Sequence, residues 1–182
     1  MVFTGQSELS IDAKQRLAIP AKYRNQWNPQ RDGGAWVCVP WDRTLRLYTE
    51  GLFSRLADAF PSTLAPDGNV AEFDRQFFGS AERLEVDSAG RLTIPKRHLD
   101  FARLGSDVMM VGARDRLEVH DLKEWSMFAP GKHAGLPQLV ENMSKLGQIP
   151  VIHAGATDSA PAGQPRDHAP GGGGERETTT DG

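Results

Sequence analysis

The stretch LSIDAKQRLAIP, which spans Leu9–Pro20, decides the fold because the chain repeats it 75 residues later as LEVDSAGRLTIP, Leu84–Pro95. Leucine, aspartate, arginine, leucine, isoleucine and proline recur position for position. The alternating apolar residues on either side of a turn predict two strands, and the closing proline suits the first turn of a helix. Self-similarity at a fixed offset indicates a duplicated architecture.

The second part of the unit also repeats, at an offset of 72 residues. Val37–Pro40 matches Met109–Gly112, and Leu45–Tyr48 matches Leu117–His120. The three residues lost between the two offsets predict a deletion in a connecting loop, where loops tolerate it. We expect the halves to pack on each other as a pseudo-twofold pair, and the unpaired edges that one half alone would leave could be closed into a β-barrel by a second half or a second chain.

Hydrophobic periodicity places the remaining elements. The fold class is predicted as α+β and β-rich, with short helices between the strands. The predicted segments are 1–60 (first half), 61–79 (linker and connecting helix), 80–146 (second half) and 147–182 (tail). The predicted strands are 8–12, 17–19, 35–40, 45–48, 81–87, 91–94, 107–112 and 116–120, and the predicted helices are 20–27, 50–60, 70–78, 95–102, 121–128 and 136–145.

The tail is predicted to be disordered, because its Gly-, Ala-, Pro- and Thr-rich composition cannot bury enough apolar surface to offset the entropy of ordering. Removing its five acids and two arginines from the chain's 24 and 21 leaves the folded body with 19 of each sign. Residues 1–48 nevertheless carry seven bases against four acids. Such a basic face is compatible with a polyanion, although a sequence pI of 5.9 is unlike that of a typical monomeric DNA binder.

Cysteine usage and targeting signals exclude several classes. The single cysteine, Cys38, lies in an apolar run and is predicted to be a small core residue, and it allows neither an internal disulfide nor a metal-ligand spacing. The first residues lack a secretory signal, and no apolar run reaches the about 20 residues needed to span a bilayer. We therefore expect a cytoplasmic protein without a membrane partner, metal, cofactor or small-molecule substrate.

The repeated unit places the pattern Asp-x-x-x-Arg at a hairpin tip, as Asp12 with Arg16 and as Asp87 with Arg91. An aspartate that opens a tight turn accepts backbone hydrogen bonds from residues further on, and Gly90 supplies a left-handed position without steric cost. On spacing alone, an ion pair that stiffens each hairpin is favoured, although an exposed pair contributes only ~0–1 kcal/mol. The same pair would also aim the arginine at a phosphate, or at guanine O6 and N7 in a major groove.

The two segments together resemble the MraZ family of bacterial transcription regulators, which belongs to the SpoVT/AbrB-like superfamily of swapped-hairpin barrels. The resemblance covers about residues 1–146 and leaves out the tail. The first-half residues that carry it are Gly5, Asp12, Lys14, Arg16, Leu17, Ile19, Pro20, Tyr23 and Arg24. The second-half residues are Phe77, Phe78, Gly79, Asp87, Gly90, Arg91, Ile94 and Pro95.

This resemblance implies both a fold and a function. The fold is a duplicated swapped-hairpin β-barrel. The implied function is that of a repressor that binds specific sequences in promoter DNA of the cell-division and cell-wall gene cluster. The implied assembly is a ring-shaped homo-oligomer that reads direct repeats in this DNA and is associated with the nucleoid. The implied DNA-contact residues are Asp12, Lys14 and Arg16, supported by Lys22 and Arg24. For the second-half motif, Asp87, Gly90 and Arg91, we expect a structural or assembly role.

The chain departs from the family pattern at both turns. Gln15 stands at the family's turn glycine, which predicts a non-glycine conformation or a different turn type in the first half. Ala89 replaces a lysine in the second turn and so removes a phosphate-seeking charge. The connecting helix reads EFDRQ over Glu72–Gln76, where the family has a basic segment.

Two other classes of function are open on the sequence. An enzyme is disfavoured because no Ser/His/Asp order, zinc spacing or Gly-rich phosphate loop occurs, and because Asp12 and Asp87 each have a neighbouring cation that lowers the pKa. The other alternative is an oligomeric AbrB-like protein-interaction module or antitoxin with weak DNA binding. It would use apolar residues such as Trp27, Trp36, Trp41 and Trp125, although most such aromatics lie in cores.

Overall fold

The computed structural model describes residues 1–60, 63–127 and 135–147. The chain divides into two compact units, Met1–Pro137 and Gln138–Gly182. The elements are β1 (Gln6–Ser10), β2 (Arg16–Ala18), α1 (Ala21–Arg24), α2 (Pro29–Asp32), β3 (Trp36–Trp41), β4 (Thr44–Thr49), α3 (Glu50–Asp58), α4 (Gly68–Phe77), β5 (Glu82–Leu84), β6 (Arg91–Thr93), α5 (Lys96–Ala102), β7 (Asp107–Ala113), β8 (Arg116–Asp121), α6 (122–127) and α7 (Leu136–Lys145). Apart from Gly147, the predicted tail lies outside the described residues.

The strands form two antiparallel sheets. The large sheet has the order β1-β7-β8-β4-β3-β5, whereas β2 and β6 pair with each other in a small two-stranded sheet that we call the ribbon. The predicted α+β, strand-rich class is confirmed, but the predicted closed barrel is wrong. The chain leaves the large sheet after β1 and again after β5 and gives the next strand to the ribbon, so β1 and β5 remain as the two edges of an open sheet.

Both sheets pair strands from the two halves of the repeat. In the large sheet, β1 pairs with β7 and β5 pairs with β3. In the ribbon, Leu17 lies opposite Leu92, its counterpart 75 residues later. In the large sheet, Arg46 lies opposite Glu118, its counterpart at the offset of 72. These registers relate the halves locally by a twofold operation, while the swapped-hairpin assignment and the predicted segment boundaries stay predictions.

The main core lies between the ribbon and one face of the large sheet. Side chains alternate along a strand, so Leu45 and Leu47 of β4 point to this face together with Cys38 of β3. Leu17 and Leu92 of the ribbon are fully buried against it. Burial also raises the pKa of the Cys38 thiol to about 12, which fits its predicted role as an inert core residue.

The opposite face of the large sheet is covered by α3 and α4. Val37, Val39 and Tyr48 form a second apolar cluster there, against Leu52, Phe53, Leu56 and Phe77. The aromatic rings of Phe53 and Phe77 stack at 5.8 Å. Beside this cluster lies an open groove of about 550 Å³, and two of its lining side chains, Trp41 and Phe101, are 42% and 60% exposed.

The helix starts differ from the prediction in instructive ways. Pro20 and Pro95 are the cap residues before α1 and α5 and do not lie within the first turn. Helix α1 ends at Arg24, and the short helix α2 then starts after Asn28, whose side-chain oxygen accepts the Gln30 N–H at 2.9 Å. An asparagine followed by proline is a recognised helix start, so a signal for α2 was present in the sequence.

The seating of the ribbon on the core can be tested with Leu92→Ala. We expect this substitution to lower the free energy of unfolding by about 3 kcal/mol, because it leaves a cavity beneath the ribbon. Thr93→Ala is the control, since Thr93 is the next residue of β6 but is exposed, and it should cost less than about 0.5 kcal/mol. Urea denaturation followed by circular dichroism gives both values. A Leu92→Ala protein as stable as its parent would contradict this packing.

Candidate nucleic-acid interface

The first turn, residues 12–16, is organised by one carboxylate. Asp12 Oδ1 accepts the backbone N–H groups of Lys14 at 2.9 Å and of Arg16 at 3.0 Å. Asp12 Oδ2 accepts the Arg16 Nε–H at 2.7 Å and lies 2.6 Å from Arg16 Nη2. The aspartate therefore fixes the backbone of the turn and the orientation of the guanidinium at the same time.

The second turn, residues 87–91, repeats this arrangement bond for bond. Asp87 Oδ1 accepts the N–H groups of Ala89 at 2.9 Å and of Arg91 at 3.0 Å. Asp87 Oδ2 accepts the Arg91 Nε–H at 2.9 Å and lies 2.8 Å from Nη2. The sequence pattern Asp-x-x-x-Arg thus gives the same local structure twice, with or without a lysine at its third position.

Gln15 corrects one expectation. Gln15 has a φ of 63° and Gly90 a φ of 78°, so the glutamine takes the left-handed conformation of a glycine and the turn type does not change. The backbone bonds also correspond, since the Gln15 N–H donates to the Asp12 carbonyl and the Gly90 N–H to the Asp87 carbonyl, both at 2.8 Å. The prediction of a non-glycine conformation or a different turn is therefore wrong.

The arginines hold the pKa of both aspartates below the ordinary value. The hydrogen bond from the Arg16 side chain is the main reason that the pKa of Asp12 falls to about 2, and the backbone donors of Arg16 and Lys14 act in the same direction. The Arg91 side chain likewise lowers the pKa of Asp87. At neutral pH each arginine therefore faces a full negative charge and stays aligned with it.

The ribbon presents both arginines on one face. Within it, Arg16 pairs with Thr93 and Ala18 pairs with Arg91. Since Leu17 and its partner are buried, the alternation of strand side chains puts these four residues on the outer face. The side chains of Arg16 and Arg91 are 30% and 32% exposed. The two turns lie at opposite ends of this face because the strands are antiparallel.

Among the described residues, half of the cations without an ion pair lie in the stretch of chain that forms the first turn and α1. Most lysines and arginines of the described residues form ion pairs with carboxylates. Those with no carboxylate oxygen within 4.0 Å are Lys14, Lys22, Arg24, Arg55, Arg103 and Lys123. Half of this set falls within residues 14–24, which is the stretch predicted to contact DNA.

The structure divides the predicted contact group into three places. Asp12, Lys14 and Arg16 lie together at the first turn. The Lys22 ammonium instead donates to the carbonyl of Gln6 at 2.6 Å, at the start of β1. The Arg24 guanidinium lies against Gly90 of the second turn, where a Cβ atom would be 2.9 Å from Arg24 Cζ.

Sequence reasoning missed the position of Arg24, although the repeat carries a signal for it. At the offset of 75 residues, Arg24 aligns with Leu99 and Gln15 aligns with Gly90. Gln15 and Leu99 line one shallow pocket at the first turn, just as Arg24 and Gly90 meet at the second. The helix that carries the larger side chain, Arg24, therefore faces the turn that has the glycine, Gly90.

Within residues 1–60, 63–127 and 135–147, no group of three or more His, Cys, Asp and Glu side chains is arranged to hold a metal ion. In the same part of the chain, no helix has both the length and the apolar character required to cross a membrane.

Comparison with known proteins places the chain in a family. The family model "MraZ protein, putative antitoxin-like" matches residues 77–145. A protein of Acetivibrio thermocellus named "Transcriptional regulator MraZ" is 31% identical over 147 residues, which cover 80% of this chain and 99% of the relative. Relatives of the same name from Nitrosomonas europaea and Nitratidesulfovibrio vulgaris are 33% identical over 129 residues and 31% identical over 121 residues.

The two latter alignments cover 69% and 66% of this chain and 85% and 81% of the relatives, so the similarity extends well beyond the matched segment of the family model. All three relatives are named as transcriptional regulators, which agrees with the prediction that the protein is not an enzyme. The prediction of the family from the duplicated turn is confirmed: the chain belongs to the MraZ family.

Proposed function

We propose that this protein is a sequence-specific DNA-binding transcription regulator that reads DNA through its first turn and the outer face of the ribbon. The observation that carries the proposal is the Asp12-held guanidinium of Arg16, which is part-exposed and uses Nε and Nη2 for the aspartate. Its Nη1 has no hydrogen-bond partner among the described residues. A guanidinium aligned before DNA arrives loses little further freedom on binding.

The shape of the ribbon supports this proposal. The major groove of B-DNA is about 12 Å wide and admits a two-stranded β-ribbon, as in several known β-ribbon readers. On the outer face, Arg16 and Arg91 are diagonal neighbours, and the small side chain of Ala18, which is paired with Arg91, leaves room beside them for base edges. An arginine fork recognises guanine O6 and N7, and each good bidentate pair gives about 1–3 kcal/mol of discrimination.

The unpaired cations supply the sequence-independent part of binding. Lys14 is exposed at the first turn and has no carboxylate partner in the described residues, so its ammonium is available for a phosphate. Lys22 and Arg24 on α1 add two further cations, Lys22 at the start of β1 and Arg24 at the second turn. Phosphate contacts release counterions, so we expect binding to weaken steeply with added salt.

We further propose that the protein forms a ring-shaped homo-oligomer that binds direct repeats in promoter DNA. The target is the cell-division and cell-wall gene cluster, which the protein represses. It acts in the cytoplasm, on the nucleoid. A chain with a formal net charge of −3 needs several copies of its basic face to hold DNA at physiological salt, and contacts add across linked subunits. The groove that exposes Trp41 and Phe101 offers an apolar surface for the neighbouring copy.

A protein-interaction module or antitoxin is the second candidate. It is favoured by the words "antitoxin-like" in the description of the matching family model and by the same exposed groove. Gel retardation with DNA from upstream of the gene separates the two functions. Absence of retardation, together with a partner protein that co-purifies, would favour the module.

Arg16→Ala tests the assignment of the reading residue. We expect this variant to lose specific retention of its upstream DNA while its oligomer mass stays unchanged, because Arg16 lies on the outer face of the ribbon. Arg55→Ala is the matched control, since Arg55 is another exposed arginine without an ion pair but lies in α3, over the opposite face of the large sheet. Normal retention by Arg16→Ala in a gel-shift titration would overturn the assignment.

The role of Asp12 can be tested through pH. Its pKa of about 2 is below the ordinary 3.8, so its ionised form stabilises the fold above pH 3.8 and this contribution disappears as pH falls through 2. Asp12→Asn keeps an acceptor oxygen but lacks the charge. We expect the difference in unfolding free energy between parent and variant to be constant from roughly pH 5 to 8 and to vanish towards about pH 2.

The same pair of proteins provides a DNA readout. We expect Asp12→Asn to bind its upstream DNA more weakly at neutral pH, because Arg16 is no longer aligned by a full charge. A stability difference that does not change between about pH 5 and pH 2 would show that the ion pair contributes nothing to the fold.

Phe101→Glu tests the proposed ring. A charge in the exposed groove should lower the oligomer mass measured by light scattering, and DNA affinity should fall because linked contacts are lost. Leu64→Glu is the control, since Leu64 is fully exposed in the loop before α4 and does not line the groove. A Phe101→Glu protein of unchanged mass would exclude the groove as the contact between copies.

A further inference from the structure

The second turn has lost its own lysine but has gained a cation from the other half of the chain. Ala89 stands where the first turn has Lys14. The Arg24 guanidinium, carried by α1, lies against Gly90 one residue further on. Asp87 and Arg91 neutralise each other in the second turn, as Asp12 and Arg16 do in the first. Each turn therefore ends with one additional positive charge.

The contact between Arg24 and Gly90 is close enough to depend on glycine. A Cβ atom on Gly90 would overlap the Arg24 guanidinium, lying 2.9 Å from Cζ and 3.3 Å from Cδ. At the first turn the equivalent helix residue is Leu99, and there the turn tolerates the side chain of Gln15 beside an open pocket. Glycine at residue 90 therefore takes the φ of 78° without the strain that Gln15 bears in the first turn, and it leaves free the space that Arg24 occupies.

Arg24 is free to bind a ligand. It is exposed, and within the part of the chain that the structure describes it forms neither an ion pair nor a side-chain hydrogen bond. Arg91 beside it directs Nε and Nη2 to Asp87 and has Nη1 left over. One hairpin tip thus carries the guanidinium of Arg91 and is contacted at Gly90 by that of Arg24, and both groups have unused donors.

We infer that the second turn is a second phosphate-binding site for DNA, built jointly by Arg91 of the second half and Arg24 of the first. The inference rests on the proposed function and gives a phosphate contact to the second-half motif, for which the sequence predicts a structural or assembly role. The ribbon is three residue pairs long, about 7 Å, and its turns lie at opposite ends. A ribbon that lies across a major groove about 12 Å wide therefore brings one turn near each phosphate backbone. Lys14 contacts one backbone and Arg24 the other.

The test measures DNA affinity as a function of salt. Fluorescence anisotropy would be recorded for the full chain with its upstream duplex and with a scrambled duplex at several KCl concentrations. The plot of log K against log salt has a negative slope, and Arg24→Ala should make it less steep by about 0.9 per engaged subunit. The affinity for both duplexes should fall by the same factor, as expected for a lost phosphate contact. Lys14→Ala should lower the slope equally, and the control Arg55→Ala should leave it unchanged.

A double-mutant comparison isolates the contact with Gly90. Gly90→Ala should displace Arg24 and lower the salt slope as Arg24→Ala does, whereas adding Gly90→Ala to Arg24→Ala should lower the slope no further. Thermal unfolding of each variant checks that it is folded. A further loss in the double variant would mean that Gly90 acts without Arg24, which would overturn the joint site.

The outcomes separate this inference from the proposed function. If the parent protein does not bind DNA, or if Arg16→Ala binds normally, the proposed function is wrong. If the parent binds and Arg16→Ala does not, but Arg24→Ala keeps the full salt slope, only the second phosphate site is wrong and the second turn has a structural role.

Discussion

Each hairpin tip depends on a single aspartate that accepts four hydrogen-bond donors, two from the backbone and two from an arginine. In the first turn these bonds close the loop around Asp12 and align Arg16. They also hold Gln15 in a left-handed conformation, which costs an L-residue roughly 1–2 kcal/mol. Backbone geometry and side-chain direction therefore share one cause. A substitution of the aspartate therefore acts on Arg16 through the turn as well as through the lost ion pair.

Each turn is also hydrogen-bonded to the other half of the chain, which explains how one half positions the helix of the other. The carbonyl of Gln15 accepts the N–H of Ile94, and the carbonyl of Gly90 accepts the N–H of Ile19, both at 2.9 Å. Each isoleucine precedes the proline that caps a helix, so the left-handed residue of one turn fixes the entry to the helix in the other half. The hydroxyl of Tyr23 then donates to the Gly5 carbonyl at 2.7 Å and secures α1, which carries Arg24 to the second turn.

Local features of this fold could be predicted from the sequence, whereas features that depend on distant pairing could not. The sequence indicated both turns, the family, and the order of the strands and of the helices other than α2, because Asp-x-x-x-Arg and the periodicity of apolar residues act within a few residues. The barrel was wrongly predicted because alternation does not reveal that β2 leaves the large sheet to pair with β6. The place of Arg24 follows from that pairing. The conformation of Gln15 was missed because the hydrogen bonds of the turn override its intrinsic preference.

Joining two halves in one chain allows them to differ where a symmetric pair could not. Arg46 lies opposite its own repeat counterpart, and identical halves would place like charges there, which is destabilising in a sheet. Here the counterpart is Glu118, and the two side chains form an ion pair at 3.4 Å. The same freedom acts at the turns, where the cation of the first turn is Lys14 and that of the second comes from α1 of the other half. The duplicated chain can therefore keep similar charge at both tips while using different residues, so each tip can change its contacts without changing the other.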